Sequence, residues 1–116
     1  MFPVPAYVHR IGRREFDFSR QIAVMAVINR TPDSFFDQGA TFALDRAVEA
    51  SIRAADAGAD WVDIGGVPFG RGPAVSTNEE IDRVAPVVAE LARRSDVVIS
   101  VDTNKAAVAA AAIDAG

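Results

Sequence analysis

Residues 54–66 read Ala-Ala-Asp-Ala-Gly-Ala-Asp-Trp-Val-Asp-Ile-Gly-Gly, and this stretch predicts the end of a helix followed directly by a strand. Gly58 stands where a helix C-terminus favours glycine, because the left-handed conformation needed there costs glycine little. Trp61 to Ile64 form a short apolar run of the kind that a buried strand shows. Residues 112–116, Ala-Ile-Asp-Ala-Gly, repeat the helix-ending half of the stretch. The chain is therefore predicted to consist of repeating strand–helix units.

Three apolar runs recur along the chain and are predicted to be its main strands. They are Ile22–Ile28, Trp61–Ile64 and Val97–Val101, which begin 39 and then 36 residues apart. The first run is apolar on both faces, as a buried parallel strand is. Helices are predicted at residues 42–57, from Ser76 or Thr77 onward, and from Lys105 onward. Crossovers of this length make consecutive strands parallel.

The second predicted helix has a capping pattern at its start and a proline inside it. Ser76 or Thr77 is followed three residues later by Glu79 or Glu80, which is the arrangement of a capping box. Pro86 is expected to kink or divide the helix, because proline offers no amide hydrogen. The predicted apolar face consists of Ile81, Val84, Ala85, Val88 and Leu91.

Two architectures fit three parallel strand–helix units. One is the opening of a (β/α)8 barrel, and the other is a small, open, doubly wound sheet. A complete barrel needs about 250 residues. Because the repeat breaks off after a helix, we favour the barrel and expect residues 1–116 to be a partial domain, preceded by an N-terminal arm or hairpin.

The composition is that of an ordinary globular domain, and it removes several classes of function. The 116 residues are 50% hydrophobic and include no cysteine, which excludes disulfide frameworks, thiolate metal sites and cysteine nucleophiles. A formal net charge of −4 argues against a nucleic-acid partner, and no run approaches the roughly 20 apolar residues of a membrane helix. His9 is the one histidine and lies away from the strand ends, which argues against Ser-His-Asp hydrolases and zinc enzymes. We expect a cytoplasmic protein without a membrane partner.

The N-terminal segment differs from the remainder in charge. Residues 1–30 hold five arginines against Glu15 and Asp17, a local charge of +3. An exposed arm or hairpin with solubilising arginines explains this pattern. A basic patch for an anionic ligand is the alternative.

The loops that follow the three strands form the candidate site, because ligands of parallel α/β folds bind at the carboxyl ends of the strands. The first loop, Asn29–Gly39, is dense in short polar side chains. Asn29 offers an amide oxygen to a hard cation such as Mg²⁺. The loop's hydroxyls and carboxylates belong to Thr31, Ser34, Asp33 and Asp37. Turn chemistry before a helix explains Thr-Pro-Asp-Ser about as well as a binding loop does.

The second and third loops supply glycines and carboxylates. Gly65 and Gly66 allow close backbone approach to an anion, although they lack the fixed spacing of a phosphate-binding loop. Asp63 lies one residue before the strand end, and we interpret it as a structural carboxylate. Asp102 holds the last position of its strand, where a carboxylate can accept two hydrogen bonds from an amidine-like group on a ligand.

Together these three loops resemble those of the dihydropteroate synthase family. The family pattern Asn-x-Thr-Pro-Asp-Ser-Phe-x-Asp-x-Gly is matched at every fixed position from Asn29 to Gly39. Asp-x-Gly-Gly is matched from Asp63 to Gly66, and Ser-Val-Asp-Thr from Ser100 to Thr103. The resemblance implies a (β/α)8 barrel that is a homodimer at full length. It also implies the condensation of a dihydropterin-methyl diphosphate with p-aminobenzoate, with release of pyrophosphate and with Mg²⁺ as cofactor.

The resemblance also implies roles at the matched positions. Asn29 would contact Mg²⁺ and the pyrophosphate, and Asp102 would hydrogen-bond the pterin ring. Phe35 and Asp37 would belong to a mobile first loop that closes over the p-aminobenzoate site, and they are the candidates for catalytic roles. Further substrate-binding candidates are Thr31 and Ser34.

The second loop departs from the family. Where the family continues Gly-Gly-Glu-Ser-Thr-Arg-Pro-Gly, residues 65–72 read Gly-Gly-Val-Pro-Phe-Gly-Arg-Gly. Phe69 replaces the hydroxyl residue that holds pyrophosphate, and Gly70 replaces the arginine. Arg71, one position later, is a weaker candidate for the arginine's role, because a displaced guanidinium does not by default restore bidentate geometry. These changes resemble the divergent second copy of the enzyme that some bacteria carry, and they imply weak or lost synthase activity.

Two other functions stay open at the level of the sequence. One is a non-catalytic barrel that binds a pterin, a sulfone-like ligand or a protein partner. The other is a small, independent α/β binding domain. The family's later pterin-pocket residues lie beyond Gly116, so we expect residues 1–116 to supply only part of a pterin pocket.

Overall fold

The computed structural model describes residues 7–29, 39–67 and 74–116, with the backbone alone for residues 39–42. Its elements in chain order are β1 (Val8–Ile11), β2 (Arg14–Asp17), β3 (Met25–Asn29), α1 (Gly39–Asp56), β4 (Trp61–Gly65), α2 (Thr77–Arg94), β5 (Val98–Asp102) and α3 (Ala106–Ala115). Strands β1 and β2 form an antiparallel hairpin. Strands β3, β4 and β5 form a parallel sheet in that order. The predicted hairpin and the three strand–helix units are confirmed.

The end of α1 adopts the conformation that its glycine predicts. Gly58 has a φ of +112°, in the region that favours glycine. The amide of Ala59 donates to the carbonyl of Ala54 at 2.9 Å, and the amide of Gly58 donates to that of Ala55 at 3.0 Å. This pair of bonds is a Schellman motif, which satisfies carbonyls that the helix end leaves without partners. The chain therefore turns from α1 into β4 within four residues.

Helix α2 begins where the capping pattern predicts. The Ser76 hydroxyl accepts a hydrogen bond from the amide of Glu79 at 3.2 Å, so Ser76 is the N-cap. Pro86 does not divide the helix, which runs unbroken from Thr77 to Arg94. Proline removes one backbone hydrogen bond, while Val84 and Val88 on either side of it are both buried in the core.

The buried face of α2 differs from the predicted apolar face at its edge. The buried residues are Glu80, Val84, Val87, Val88 and Leu91. Ile81 and Ala85, which were expected in the core, are only partly buried. The stripe is therefore rotated slightly, and it places a carboxylate, Glu80, among apolar side chains.

One face of the sheet packs against the helices, and that is where the core lies. Val62 and Ile64 of β4 are fully buried there, together with residues of α1 and α2. On the opposite face Met25 and Val27 remain 46% and 58% exposed. Within the described part of residues 1–116 the first apolar run is therefore covered on one face only. Ile22, predicted as the start of this strand, precedes β3 and is 87% exposed.

The hairpin packs across the amino-terminal end of the sheet. Phe16 is completely buried and meets the ring of Trp61 edge to face, with 5.9 Å between the ring centroids. Arg14 donates to the carboxylate and the carbonyl of Asp60, at 3.1 and 3.2 Å. Arg13 donates to backbone carbonyls near the end of α2. These two arginines therefore hold the hairpin in place, which is a different role from the solubilising one expected for the arginines of this segment.

Among the described helices, none combines the length and the apolarity that crossing a membrane requires.

Candidate functional site

The last residues of the three parallel strands lie side by side. Asn29 of β3 is in register with Gly65 of β4, and Gly65 is in register with Asp102 of β5. A methyl group added at Gly65 would lie 3.5 Å from Oδ1 of Asn29, so the Asn29 side chain reaches toward the glycine. Asn29 and Asp102 thus flank a position without a side chain. The parallel order predicted from the sequence brings these two candidate residues to one edge.

A cleft of about 600 Å³ opens at this edge of the sheet. The residues lining it that bear on ligand chemistry are Asn29, Asp63, Gly65, Asp102, Thr103 and Lys105. Its volume lies within the range of about 300–1,000 Å³ that small-molecule sites occupy. The carboxylate of Asp102 is exposed, which leaves it accessible to a ligand.

Asp63 lines the same cleft, but its carboxylate is already engaged. The hydroxyl of Ser100, its register partner on β5, donates to Oδ1 of Asp63 at 2.7 Å. This contact across two strands supports the structural interpretation of Asp63. Its partner is therefore a hydroxyl of the neighbouring strand.

Gly66 serves helix packing rather than ligand approach. It is buried, and a methyl group added there would lie 2.9 Å from Cγ2 of Val84 and 3.2 Å from Cγ of Glu80. Arg83 donates to the Gly66 carbonyl at 2.9 Å. The start of the second loop is therefore pressed against the first turns of α2, where only glycine fits without rearrangement.

A buried ionic cluster that the sequence did not single out as a site forms part of the cleft lining, to which Glu80, Thr103 and Lys105 all belong. Glu80 is 1% exposed, and its Oε1 accepts a hydrogen bond from the Thr103 hydroxyl at 2.8 Å. The Lys105 ammonium lies 3.1 Å from Oε2 of Glu80, an ion pair without the alignment of a hydrogen bond. Lys105 also donates to the Val75 carbonyl at 2.7 Å. The sequence did contain one indication that Glu80 is buried, because its spacing from Val84 and Leu91 places it on the same face of α2.

Several of the candidate residues lie outside the described ranges. They are Thr31, Ser34, Phe35, Asp37 and Arg71. Their roles stay predictions.

The described residues contain no cluster of three or more His, Cys, Asp or Glu side chains that could hold a metal ion. Magnesium does not need such a cluster when a phosphate ligand is present, because it keeps several waters and takes one or two protein ligands beside phosphate oxygens. The amide oxygen of Asn29, at the rim of a cleft with two aspartates, suits that mode of binding.

A second cleft, of about 530 Å³, lies between the hairpin turn, the end of α2 and α3. Valine, isoleucine and alanine make up most of its lining. The cleft at the strand ends combines apolar surface with convergent polar groups, which is the arrangement of a ligand site.

Comparison with known proteins places these features in a family. The model of the "Pterin binding enzyme" family matches residues 25–116. The chain is 48% identical over 94 residues to "Inactive dihydropteroate synthase 2" of Mycobacterium leprae (strain TN), covering 80% of this chain and 32% of that protein. It is 41% identical over 108 residues to the dihydropteroate synthase of Clostridium beijerinckii, covering 92% of this chain and 40% of that protein.

A solved structure shows the same arrangement of elements. The dihydropteroate synthase of Xanthomonas albilineans, determined with 4-aminobenzoic acid, superposes with a TM-score of 0.82 at 38% identity. The alignment covers 95% of this chain and 41% of that structure. The sheet and its helices are therefore the N-terminal three strand–helix units of a (β/α)8 barrel, preceded by a hairpin, as the sequence predicts.

The chain spans less than half the length of these relatives. The family match covers the strands and helices that form the cleft, and the solved structure shares their arrangement. The chain belongs to the pterin-binding enzyme family.

Proposed function

We propose that the chain is part of a dihydropteroate synthase-like protein of folate biosynthesis whose synthase activity is weak or lost. The observation that carries the proposal is the alignment of Asn29 and Asp102 across Gly65 at the mouth of a cleft. These are the positions at which the family resemblance implies diphosphate and pterin contacts. The reaction concerned condenses a dihydropterin-methyl diphosphate with p-aminobenzoate and releases pyrophosphate.

Asp102 is proposed to bind the pterin ring. A carboxylate has two acceptor oxygens, and they match the adjacent N–H donors of an amidine-like edge. The carboxylate stands at the end of β5, where the strand fixes its backbone. Asp63 lies deeper in the cleft with its hydroxyl partner and would form part of the floor.

Asn29 is proposed to hold Mg²⁺ together with the diphosphate. The bound ion would neutralise charge that develops on the leaving pyrophosphate. The contribution of the chain is the position of the amide oxygen, which β3 and the neighbouring Gly65 place at the cleft rim. Thr31, Ser34, Phe35 and Asp37 are proposed to complete this side of the site.

The second loop is the reason to propose weak or absent turnover. Residues 67–71 replace the glutamate, serine, threonine, arginine and proline of the family pattern by Val-Pro-Phe-Gly-Arg. The side chain of Phe69 has no donor for a phosphate oxygen, and Arg71 is displaced by one position. The similarity to a mycobacterial protein described as inactive supports this proposal.

We further propose that residues 1–116 are the front part of a complete barrel and that the full-length protein is a cytoplasmic homodimer. The exposed apolar side chains on one face of the sheet, Met25 and Val27 among them, support the presence of further barrel strands. We propose neither a nucleic-acid nor a membrane partner, given the net charge of −4.

The test measures pyrophosphate release by a protein that contains residues 1–116 within a complete barrel. The assay supplies Mg²⁺, the dihydropterin diphosphate and p-aminobenzoate. We expect binding of the pterin diphosphate with little or no release. A matched variant restores the family loop by Val67→Glu, Pro68→Ser, Phe69→Thr, Gly70→Arg and Arg71→Pro, and it should release pyrophosphate faster.

Two outcomes would contradict the proposal. Release by the unsubstituted protein at about 1 s⁻¹ or more, within the usual range of enzymes, would show that the loop change leaves catalysis intact. No measurable binding of the pterin diphosphate would remove the pterin site itself and favour a barrel that binds a protein partner.

A further inference from the structure

Glu80 occupies a position where an unpaired carboxylate would be costly. Its side chain is 2% exposed and stands on the same face of α2 as Val84 and Leu91. Burying an ionised carboxylate is unfavourable unless charges and hydrogen bonds compensate. The compensation comes from Thr103 and Lys105, which immediately follow β5. The position of this short segment is therefore tied to the core of α2.

Lys105 connects two of the loops at the cleft. Its ammonium group donates to the carbonyl of Val75, just before α2, and pairs with Glu80. Its backbone amide donates to the Thr103 hydroxyl at 3.2 Å. The Thr103 hydroxyl thus donates to Glu80 and accepts from Lys105, so its hydrogen is committed and its orientation is fixed. The three side chains form one connected network.

The network begins at the residue after Asp102. Asp102 itself is exposed, and its carboxylate projects at the end of a strand whose next residue, Thr103, is held by Glu80. Fixing the backbone directly after a strand end restricts the directions that the last side chain can take. A protein side chain binds its ligand most tightly when neighbouring contacts hold that side chain in the productive geometry before the ligand arrives.

We propose that Lys105, acting through Glu80 and Thr103, is a positioning residue that holds Asp102 in the orientation needed to bind the pterin ring. The inference rests on the proposed pterin site. Lys105 lines the cleft, but its ammonium group is engaged by Val75 and Glu80, so it acts on the pterin ring through Asp102. It fixes the segment that carries the ligand group and joins it to the end of the second loop at Val75.

The composition of the chain supports a specific use of this residue. Of the 12 basic residues, 11 are arginine and Lys105 is the single lysine. An ammonium group is a compact point charge with three donors, whereas a guanidinium is a wide planar fork. Lys105 contacts a carbonyl and a carboxylate that lie close together beside a buried helix face. A compact cation suits that geometry better than the arginine that the chain uses elsewhere.

The test is a double-mutant cycle on pterin binding in a protein that contains the complete barrel. The probe is a dihydropterin without the diphosphate, so that binding reports on the ring alone, and its affinity is measured by titration calorimetry. The variants are Asp102→Asn, Lys105→Met and the double variant. Arg94→Met is the matched control, because it removes an ion pair with Glu49 at the far end of α2.

We expect Lys105→Met to weaken binding about tenfold, within the range that couplings between contacting groups span. In the Asp102→Asn background, adding Lys105→Met should lower the affinity for the dihydropterin by less than about twofold, because the network then has no carboxylate to position. Arg94→Met should bind as the unsubstituted protein does. If Lys105→Met does not fold, Glu80→Gln takes its place. This variant keeps the size of the side chain, removes its charge and should also weaken pterin binding.

The outcomes separate this inference from the proposed function. Binding by Lys105→Met within twofold of the unsubstituted protein, with loss in Asp102→Asn, overturns the positioning role alone. Losses that simply multiply in the double variant also overturn it, because they indicate independent effects. No binding by the unsubstituted protein overturns the pterin site and the inference with it.

Discussion

The close approach of Gly66 to α2 allows a stability prediction with an internal control. Gly66→Ala would place a methyl group 2.9 Å from Cγ2 of Val84 and 3.4 Å from the backbone carbonyl of Glu80. Ordinary contacts between carbon atoms lie at about 3.5–4.0 Å. Val84 is 1% exposed, so its side chain has nowhere to move, and the helix backbone must shift instead.

The expected cost follows from this crowding. Inserting a methyl group into a well-packed core typically costs about 1–3 kcal/mol. Replacing glycine by alanine also restricts the unfolded chain, which stabilises the fold by about 0.4–1 kcal/mol where the conformation permits alanine. For Gly66→Ala we therefore expect a net loss of about 1–2 kcal/mol in the free energy of unfolding.

Gly65→Ala is the matched control, because the neighbouring glycine lies in open surroundings. A methyl group there meets only Oδ1 of Asn29, at an ordinary 3.5 Å. This variant shares the effect on the unfolded chain without the crowding, so the two variants should differ by about 2 kcal/mol. The added methyl group would protrude into the cleft and should lower ligand affinity instead.

The assay is urea unfolding of both variants, followed by circular dichroism, in a protein that contains the complete barrel. Comparing two variants of one protein removes most of the uncertainty of extrapolating to water. If Gly66→Ala proves as stable as Gly65→Ala within about 0.5 kcal/mol, the close contact with α2 does not govern this position and the packing argument is refuted.

Three further substitutions test other parts of the fold by the same unfolding measurement or by proteolysis. Ser76→Ala removes the hydroxyl that accepts from the Glu79 amide and should cost about 1 kcal/mol; an unchanged midpoint would show that the cap is dispensable. Leu91→Ala, at a fully buried position, should cost about 2–5 kcal/mol, and a loss below about 1 kcal/mol would contradict its place in the core. Asp60→Ala removes the carboxylate that pairs with Arg14 but leaves the carbonyl, and it should make the hairpin more sensitive to trypsin, whereas an unchanged cleavage rate would show that the carbonyl and the aromatic contacts suffice.

The regular elements could be predicted because each depends on local chemistry. Gly58 ends α1 and the Ser76 hydroxyl caps α2 through hydrogen bonds that span three to five positions along the chain. The parallel order of the strands follows from the length of the crossovers. The edge that carries Asn29 and Asp102 then follows from the order of the strands, so this part of the site was accessible to sequence reasoning.

The contacts that could not be predicted join residues far apart in the chain. Thr103 and Lys105 lie more than 20 residues from Glu80, and periodicity alone gives Glu80 no partner. The hairpin arginines posed the same difficulty, since Arg13 binds carbonyls at residues 92 and 95. A charge pattern in the sequence shows which groups are available but not which carbonyl or carboxylate they will meet.

The proposed pterin contact and the altered second loop belong to different parts of the chain, which suggests how a member of this family can lose turnover and still bind its ligand. The proposed pterin contact, Asp102, lies at the end of β5, and Glu80 and Lys105 are proposed to hold it in position. The altered positions, 67–71, belong to the loop that the family resemblance assigns to pyrophosphate. Because catalysis requires groups that stabilise the leaving diphosphate in the transition state, changes there lower turnover more than affinity for the ring. A protein with this combination should therefore bind pterins through an intact β5 edge while releasing little pyrophosphate, and binding and turnover should respond separately to substitutions in the two loops.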